Sequence, residues 1–237
     1  MNLPFAQVLG TVLVVVATPC VAVAVAVLLF LNPIWVGFDQ GRSDVVQLTG
    51  YTPTQVSQVT GSILSDLVFG PPNFDVTVNG APVLDVHERS HMADVRGVLM
   101  SLGLVALMAA LILVAVGLAS RGRWWFWWAV QAGGKVLLGG VVVVGLAFAL
   151  FFDQAFELFH EVFFAPGTYM FDVRTEKLVQ LFPDQFWSET SVAIAAAVLV
   201  LGLIVVFAAG RIAGRAASAD PTSGAASPAL TPPGGPQ

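Results

Sequence analysis

Four stretches of this sequence, residues 5–31, 97–119, 124–152 and 191–213, run almost without charge, Lys135 and Arg211 being the two exceptions. Each exceeds the roughly 20 apolar residues that an α-helix needs to cross the hydrocarbon core of a bilayer. The whole chain agrees: 57% of its 237 residues are hydrophobic and 11% are charged, about half the charge of an ordinary soluble domain. The expected fold is an all-α membrane protein, four transmembrane helices carrying a small mixed α/β extracytoplasmic cap. The first stretch has no basic leader, runs too long for a signal peptide and is followed by no charge before Asp39, so it reads as a retained membrane helix. Cys20, inside it, lacks the residues that precede a lipidated cysteine, and one thiol says nothing of redox compartment.

Charge orients the helices. The connecting segments 32–96 and 153–190 hold seven acids each, against three and two basic residues, while Arg121, Arg123, Arg211 and Arg215 flank the opposite ends of the spans. Lys and Arg near span ends favour the cytoplasm, which places both termini inside and both longer loops outside. The run Trp124, Trp125, Phe126, Trp127, Trp128 reads as an interfacial aromatic belt beside those arginines. Lys135 is close enough to the same interface to snorkel towards it, although a charge within a span is also a functional signal.

In segment 32–96, Phe74, Val76 and Val78 alternate with polar residues, and Asn79-Gly80 supplies the two positive-φ positions of a tight hairpin turn before a second strand over residues 81–86. Pro82 marks that strand as an edge. Thr52-Pro53 makes a helix start, followed by Val56, Val59, Ile63, Leu64 and Leu67 on one face. Residues 216–237, rich in Ala, Ser, Thr, Pro and Gly, cannot bury a core and read as a disordered cytoplasmic tail.

Two clusters carry chemistry. The first, His87-Glu88-Arg89-Ser90-His91-Met92-Ala93-Asp94, ends at the mouth of the second span. On a helix, His87, Glu88 and Asp94 fall within one turn of His91, so carboxylates can orient its imidazole. The second, residues 153–164, leaves the third span on the same side. Its polar face holds Asp153, Glu157 and His160, and its apolar stripe holds Phe156, Phe159 and Phe163, as in a helix lying along a membrane surface. A competing pattern is His87-Glu88-x-x-His91, which matches the zinc motif of metalloproteases and would take a third ligand from His160, Glu161 or Glu157. A nonenzymatic lipid- or partner-binding membrane protein with merely interfacial histidines is a further alternative. No G-x-S-x-G elbow occurs, and Ser90 beside His91 has no geometry for mutual activation.

Glu88, Ser90, His91, Met92, Asp94 and Val95 resemble the E-x-S-H-M-x-D-V signature of the bacterial lipoprotein intramolecular transacylases and their membrane relatives. Phe156, Phe159, His160, Phe163 and Phe164, followed by Gly167, Phe171, Asp172, Leu178, Leu181, Phe182, Pro183 and Phe186, resemble the second signature. Tyr169 and Glu176 depart from it, standing in place of Trp and Asp. The first signature calls for no histidine at His87, so the zinc pattern reads as accidental and no metal or other cofactor is expected.

The resemblance implies an enzyme that moves the sn-2 acyl chain of a lipoprotein's diacylglyceryl-cysteine onto that cysteine's own α-amino group. Its partners would be diacylated bacterial lipoproteins and membrane lipid, with no nucleic acid. Because the substrate amine attacks its own ester, no enzyme nucleophile is required, only proton transfer and positioning. His91 and His160 are the expected acid-base pair. Asp94, Glu88 and Glu157 are expected to support the imidazoles, and Arg89 or Arg96 to bind a phosphate or steady the oxyanion.

Overall fold

A computed structural model describes residues 5–219. Along the chain it forms α1 (Phe5–Phe30), α2 (Pro33–Arg42), α3 (Val45–Thr49), α4 (Pro53–Val68), the short strands β1 (Thr77–Val78) and β2 (Ala81–Pro82), α5 (Val86–Ala119), α6 (Trp124–Leu150), α7 (Phe152–Phe163), α8 (Lys177–Leu181) and α9 (Asp184–Ser218). Helices α1, α5, α6 and α9 are long and apolar enough to span a membrane. The chain therefore forms a multi-pass α-helical bundle, with its acidic segments gathered at one end and the Arg121–Arg123 turn and the end of α9 at the other.

Glycine sets the closeness of the bundle. Helix α6 lies along α9, and α1 packs against α5, α6 and α9. A Cβ on Gly133 would stand 2.7 Å from Thr18 Cβ and 2.8 Å from the Val15 carbonyl, and one on Gly202 would meet Leu138 Cδ2 at 2.7 Å. Without an apolar-to-water transfer to drive association in lipid, such small-residue contacts provide the van der Waals packing between helices. At the arginine end, Phe126 is buried beside Val14 and Ala129, while Trp124 and Trp128 are exposed. The aromatic run is thus divided between a lipid-facing belt and a helix contact. Lys135 is exposed on the bundle surface.

The cap is mostly helical. Asn32 opens α2 by accepting from the Ile34 and Trp35 amides, and Thr52 with Gln55 closes a capping box at the start of α4, both satisfying amides that a first helical turn leaves unpaired. The predicted face of α4 is buried at Val56, Val59, Ile63, Leu64 and Leu67. These side chains share one core with Val36, Phe74, Leu84 and Met92, and with Leu178, Leu181 and Phe186 from the second loop. Polar contacts join the same elements: Gln40 donates to the Leu181 carbonyl, Thr60 donates to Gln40, Thr190 donates to Asp39, and Arg42 pairs with Glu189.

Several expected boundaries shift. The hairpin turn forms, with Asn79 at φ 52° and Gly80 at φ 80°, but its ladder holds only Thr77 opposite Pro82 and Val78 opposite Ala81. One further cross-strand bond, from the Val83 amide to the Val76 carbonyl at 2.8 Å, follows the ladder, and Phe74, at φ 48° and buried in the cap core, turns the chain out of the extended conformation. Helix α5 starts at Val86 rather than at 97, because Asp85 and Glu88 form a capping box there. At about 1.5 Å per residue its 34 residues measure about 51 Å, well beyond a hydrocarbon core of about 30 Å, so its first turns project past the apolar span. Helix α9 likewise starts at Asp184 instead of 191 and continues to Ser218 instead of 213. Of the expected tail, 216–218 belong to α9 and 220–237 lie outside the described residues.

Candidate active site

The projecting turns of α5 carry His87, Glu88, Arg89 and His91, and α7 carries His160. Although far apart in the chain, the His91 and His160 imidazoles stack with centroids 6.1 Å apart and planes 22° from parallel. Phe164 touches both rings, Phe171 flanks His91, and Phe156, Phe159 and Tyr169 surround His160. The pair therefore sits in an aromatic enclosure where the membrane helices meet the cap.

The environments of the two rings differ. His91 is 6% exposed, and its Nδ1 has no hydrogen-bond partner among the described residues. Burial, with the charge of His160 adding to it against the opposing pull of Asp94, lowers its pKa to about 4, so the ring is neutral near pH 7. His160 donates from Nδ1 to the Phe156 carbonyl at 2.7 Å. That bond fixes the tautomer in the neutral ring and leaves Nε2 with its lone pair available. One ring thus presents an unused polar atom in an apolar setting, and the other presents an oriented ring nitrogen.

Glu88 bonds to backbone amides. It is 2% exposed, and its carboxylate accepts 2.6 Å hydrogen bonds from the backbone amides of Asp85 and Leu178. Burial raises its pKa, opposed by those two bonds. It joins the start of α5 to the start of α8 and so holds the second loop over the cap. Asp94 and Glu157 are exposed on α5 and α7. Asp94 acts on His91 through its field, while Glu157 makes no hydrogen bond or ion pair among the described residues. Arg89 faces Asp75 at 3.6 Å and donates to the Asp85 carbonyl, and Arg96 donates to the Asp66 carbonyl.

The zinc pattern does not assemble. His87 donates from Nε2 to the Gly167 carbonyl at 3.3 Å, and its Nδ1 lies 3.7 Å from Glu176. Glu88, the general base of such a motif, is committed to backbone amides, and among the described residues no three His, Cys, Asp or Glu side chains converge to hold a metal ion.

The family model described as lipoprotein intramolecular transacylase Lit matches residues 11–187, a stretch that contains both histidine clusters, most of the first span and the whole of the second and third. The chain belongs to this family. The fold of this Lit family member is similar to the in meso structure of the membrane integral lipoprotein intramolecular transacylase Lit from Bacillus cereus, with TM-score 0.75, 17% identity and coverage of 89% of this chain and 97% of that one. Two single-histidine variants of the same Bacillus cereus protein, to arginine and to alanine, give TM-scores of 0.71 and 0.70 at 16% and 17% identity. They cover 91% and 89% of this chain and 95% and 94% of theirs. No curated protein sequence matches.

The sequence brought forward the residues that meet, His91, His160, Phe156, Phe159, Phe164 and Phe171. It did not reveal that Glu88 reaches Leu178, a partner 90 residues away that no local spacing encodes.

Proposed function

We propose that this chain is an intramolecular acyltransferase acting on diacylated lipoproteins, moving the sn-2 acyl chain of the diacylglyceryl-cysteine to that cysteine's α-amino group. The cap and the histidine pair would face away from the cytoplasm, both termini would lie inside, and α7 would rest along the outer membrane surface with its exposed Leu158, Phe159, Val162 and Phe163 among acyl chains. Membership of the family supports the reaction class, and the pairing of His91 with His160 is the single observation that carries the mechanism.

His160 is the base. Its free Nε2 takes a proton from the substrate ammonium, and the neutral amine then attacks the sn-2 ester carbonyl to form the C–N bond. Once that first proton has left His160 for solvent, the adduct nitrogen gives its second proton to the same Nε2, collapse breaks the bond to the glyceryl oxygen, and that proton passes from His160 to the oxygen, so amide and alcohol form with one proton released overall. His91, kept neutral by burial, hydrogen-bonds the departing oxygen through Nδ1, as a neutral imidazole does where its protonation is suppressed. Because amine and ester belong to one molecule, most of the proximity is present in the substrate, and the aromatic enclosure restricts which rotamers reach the site. Proton transfer of this kind contributes about 10²- to 10⁴-fold.

The test is mass spectrometry of lipoprotein N-terminal peptides from a host that makes diacyl lipoproteins, with the native chain, without it, and with His91→Ala or His160→Ala. An N-acyl, S-monoacylglyceryl cysteine formed only by the native chain is expected. Full conversion by either variant would remove that histidine from the chemistry.

A further inference from the structure

The mechanism above leaves one charge without a partner: the oxyanion that forms on the ester carbonyl when the amine adds. Stabilising such an oxyanion needs a fixed hydrogen-bond donor, and losing one donor typically costs about 10²- to 10³-fold in rate. Of the rings packed on His91 and His160, all but Tyr169 are phenylalanines or the other histidine. The Tyr169 ring lies 5.1 Å from the His160 ring, tilted by 35°, and its hydroxyl has no hydrogen-bond partner among the described residues.

The loop that presents Tyr169 is built. Gly167 adopts φ 83°, a conformation that a side chain would oppose, and Thr168 donates from both its amide and its hydroxyl to the Ala165 carbonyl. His87, which has no part in the proton transfers, donates to the Gly167 carbonyl two residues before Tyr169. The two arginines near the site have other partners, Asp75 with the Asp85 carbonyl for Arg89 and the Asp66 carbonyl for Arg96.

We infer that Tyr169 is a third catalytic residue, donating its phenolic hydrogen bond to the oxyanion of the migrating acyl group, and that His87 is a positioning residue that fixes the Tyr169 loop through the Gly167 carbonyl. The inference rests on the acyl-transfer reading. The phenol keeps its proton throughout: the adduct's negative charge accepts the hydrogen bond while the C–N bond forms and gives it up when the C–O bond breaks.

The experiment measures conversion of a synthetic diacylated lipopeptide by the full chain in liposomes, for the native protein, Tyr169→Phe, His87→Ala and the double variant. Tyr169→Phe keeps the ring on His160 and is expected to lower kcat by about 10²-fold with KM within twofold and the melting temperature unchanged. His87→Ala is expected to lower kcat by about tenfold, and the double variant to fall no further than Tyr169→Phe alone, because both act through one hydroxyl. Activity of Tyr169→Phe within twofold of native overturns the catalytic assignment. Multiplying losses in the double variant overturn the link to His87. A native chain that converts no lipopeptide overturns the acyl-transfer reading itself, a result distinct from either.

Discussion

Replacing Glu88 by Gln separates two roles that this residue can play beside His91, a histidine proposed to be catalytic. Both carboxylate oxygens accept 2.6 Å bonds from buried amides, those of Asp85 and Leu178. A glutamine keeps one acceptor and turns an NH₂ group towards the other amide, so one charge-assisted bond, worth about 1.5–3 kcal/mol, is lost and the second weakens. The expected cost is therefore about 2–4 kcal/mol, concentrated where α8 docks on α5. Hydrogen exchange followed by mass spectrometry on peptides covering 177–181 should show faster exchange, and tryptophan-detected melting should fall by several degrees. Because the carboxylate holds backbone rather than imidazole, kcat per folded molecule should stay within about threefold of native. A hundredfold loss of kcat with unchanged exchange and melting would refute this reasoning and restore Glu88 to orienting His91.

Two other predictions concern the imidazole and the bundle. The His91 pKa is held to about 4 in the fold against its ordinary 6.5, so the unfolded state binds the extra proton between those values. Stability should decline as pH falls from about 6.5 towards 4, by up to about 3 kcal/mol; melting scans should lose this limb in His91→Gln, and an identical limb in both proteins would assign it to other groups. In the bundle, Gly133→Ala forces a methyl against Thr18 and the Val15 carbonyl, whereas Gly139 has nothing within 4 Å of a built Cβ. Gly133→Ala should cost about 1–3 kcal/mol in detergent-solubilised melting and Gly139→Ala should be neutral or stabilising, the reverse order arguing against α1–α6 contact at that level.

What could be read in the sequence follows the range of the forces involved. Apolar runs give four spans because the bilayer acts on every residue alike, and the Thr52 cap with the face from Val56 to Leu67 gives α4 because helical spacing is local. The limits of those runs did not give the ends of α5 and α9, since a helix continues into water wherever a cap such as Asp85 and no breaker permits it. Helices α2, α3 and α8 passed unrecognised: they are short, and their order comes from the shared cap core and from contacts such as Gln40 with the Leu181 carbonyl. In the site, His91 and His160 were visible as residue types on the same side of the spans. The stacking of their rings, the different environments of their nitrogens and the commitment of Glu88 to Leu178 arise only on folding.

The two imidazoles have unequal mechanical support. His91 rides on a single helix that is continuous from the cap to the far arginine turn, whereas His160 rides on α7, a helix with no fully buried residue that joins the bundle through the end of α6. In the proposed setting the floor beneath α7 is lipid, not protein. The separation of the pair then becomes a property shared with the bilayer, and lateral pressure, leaflet thickness and the accumulation of single-chain product would all act on turnover as a load acts on one arm of a hinge.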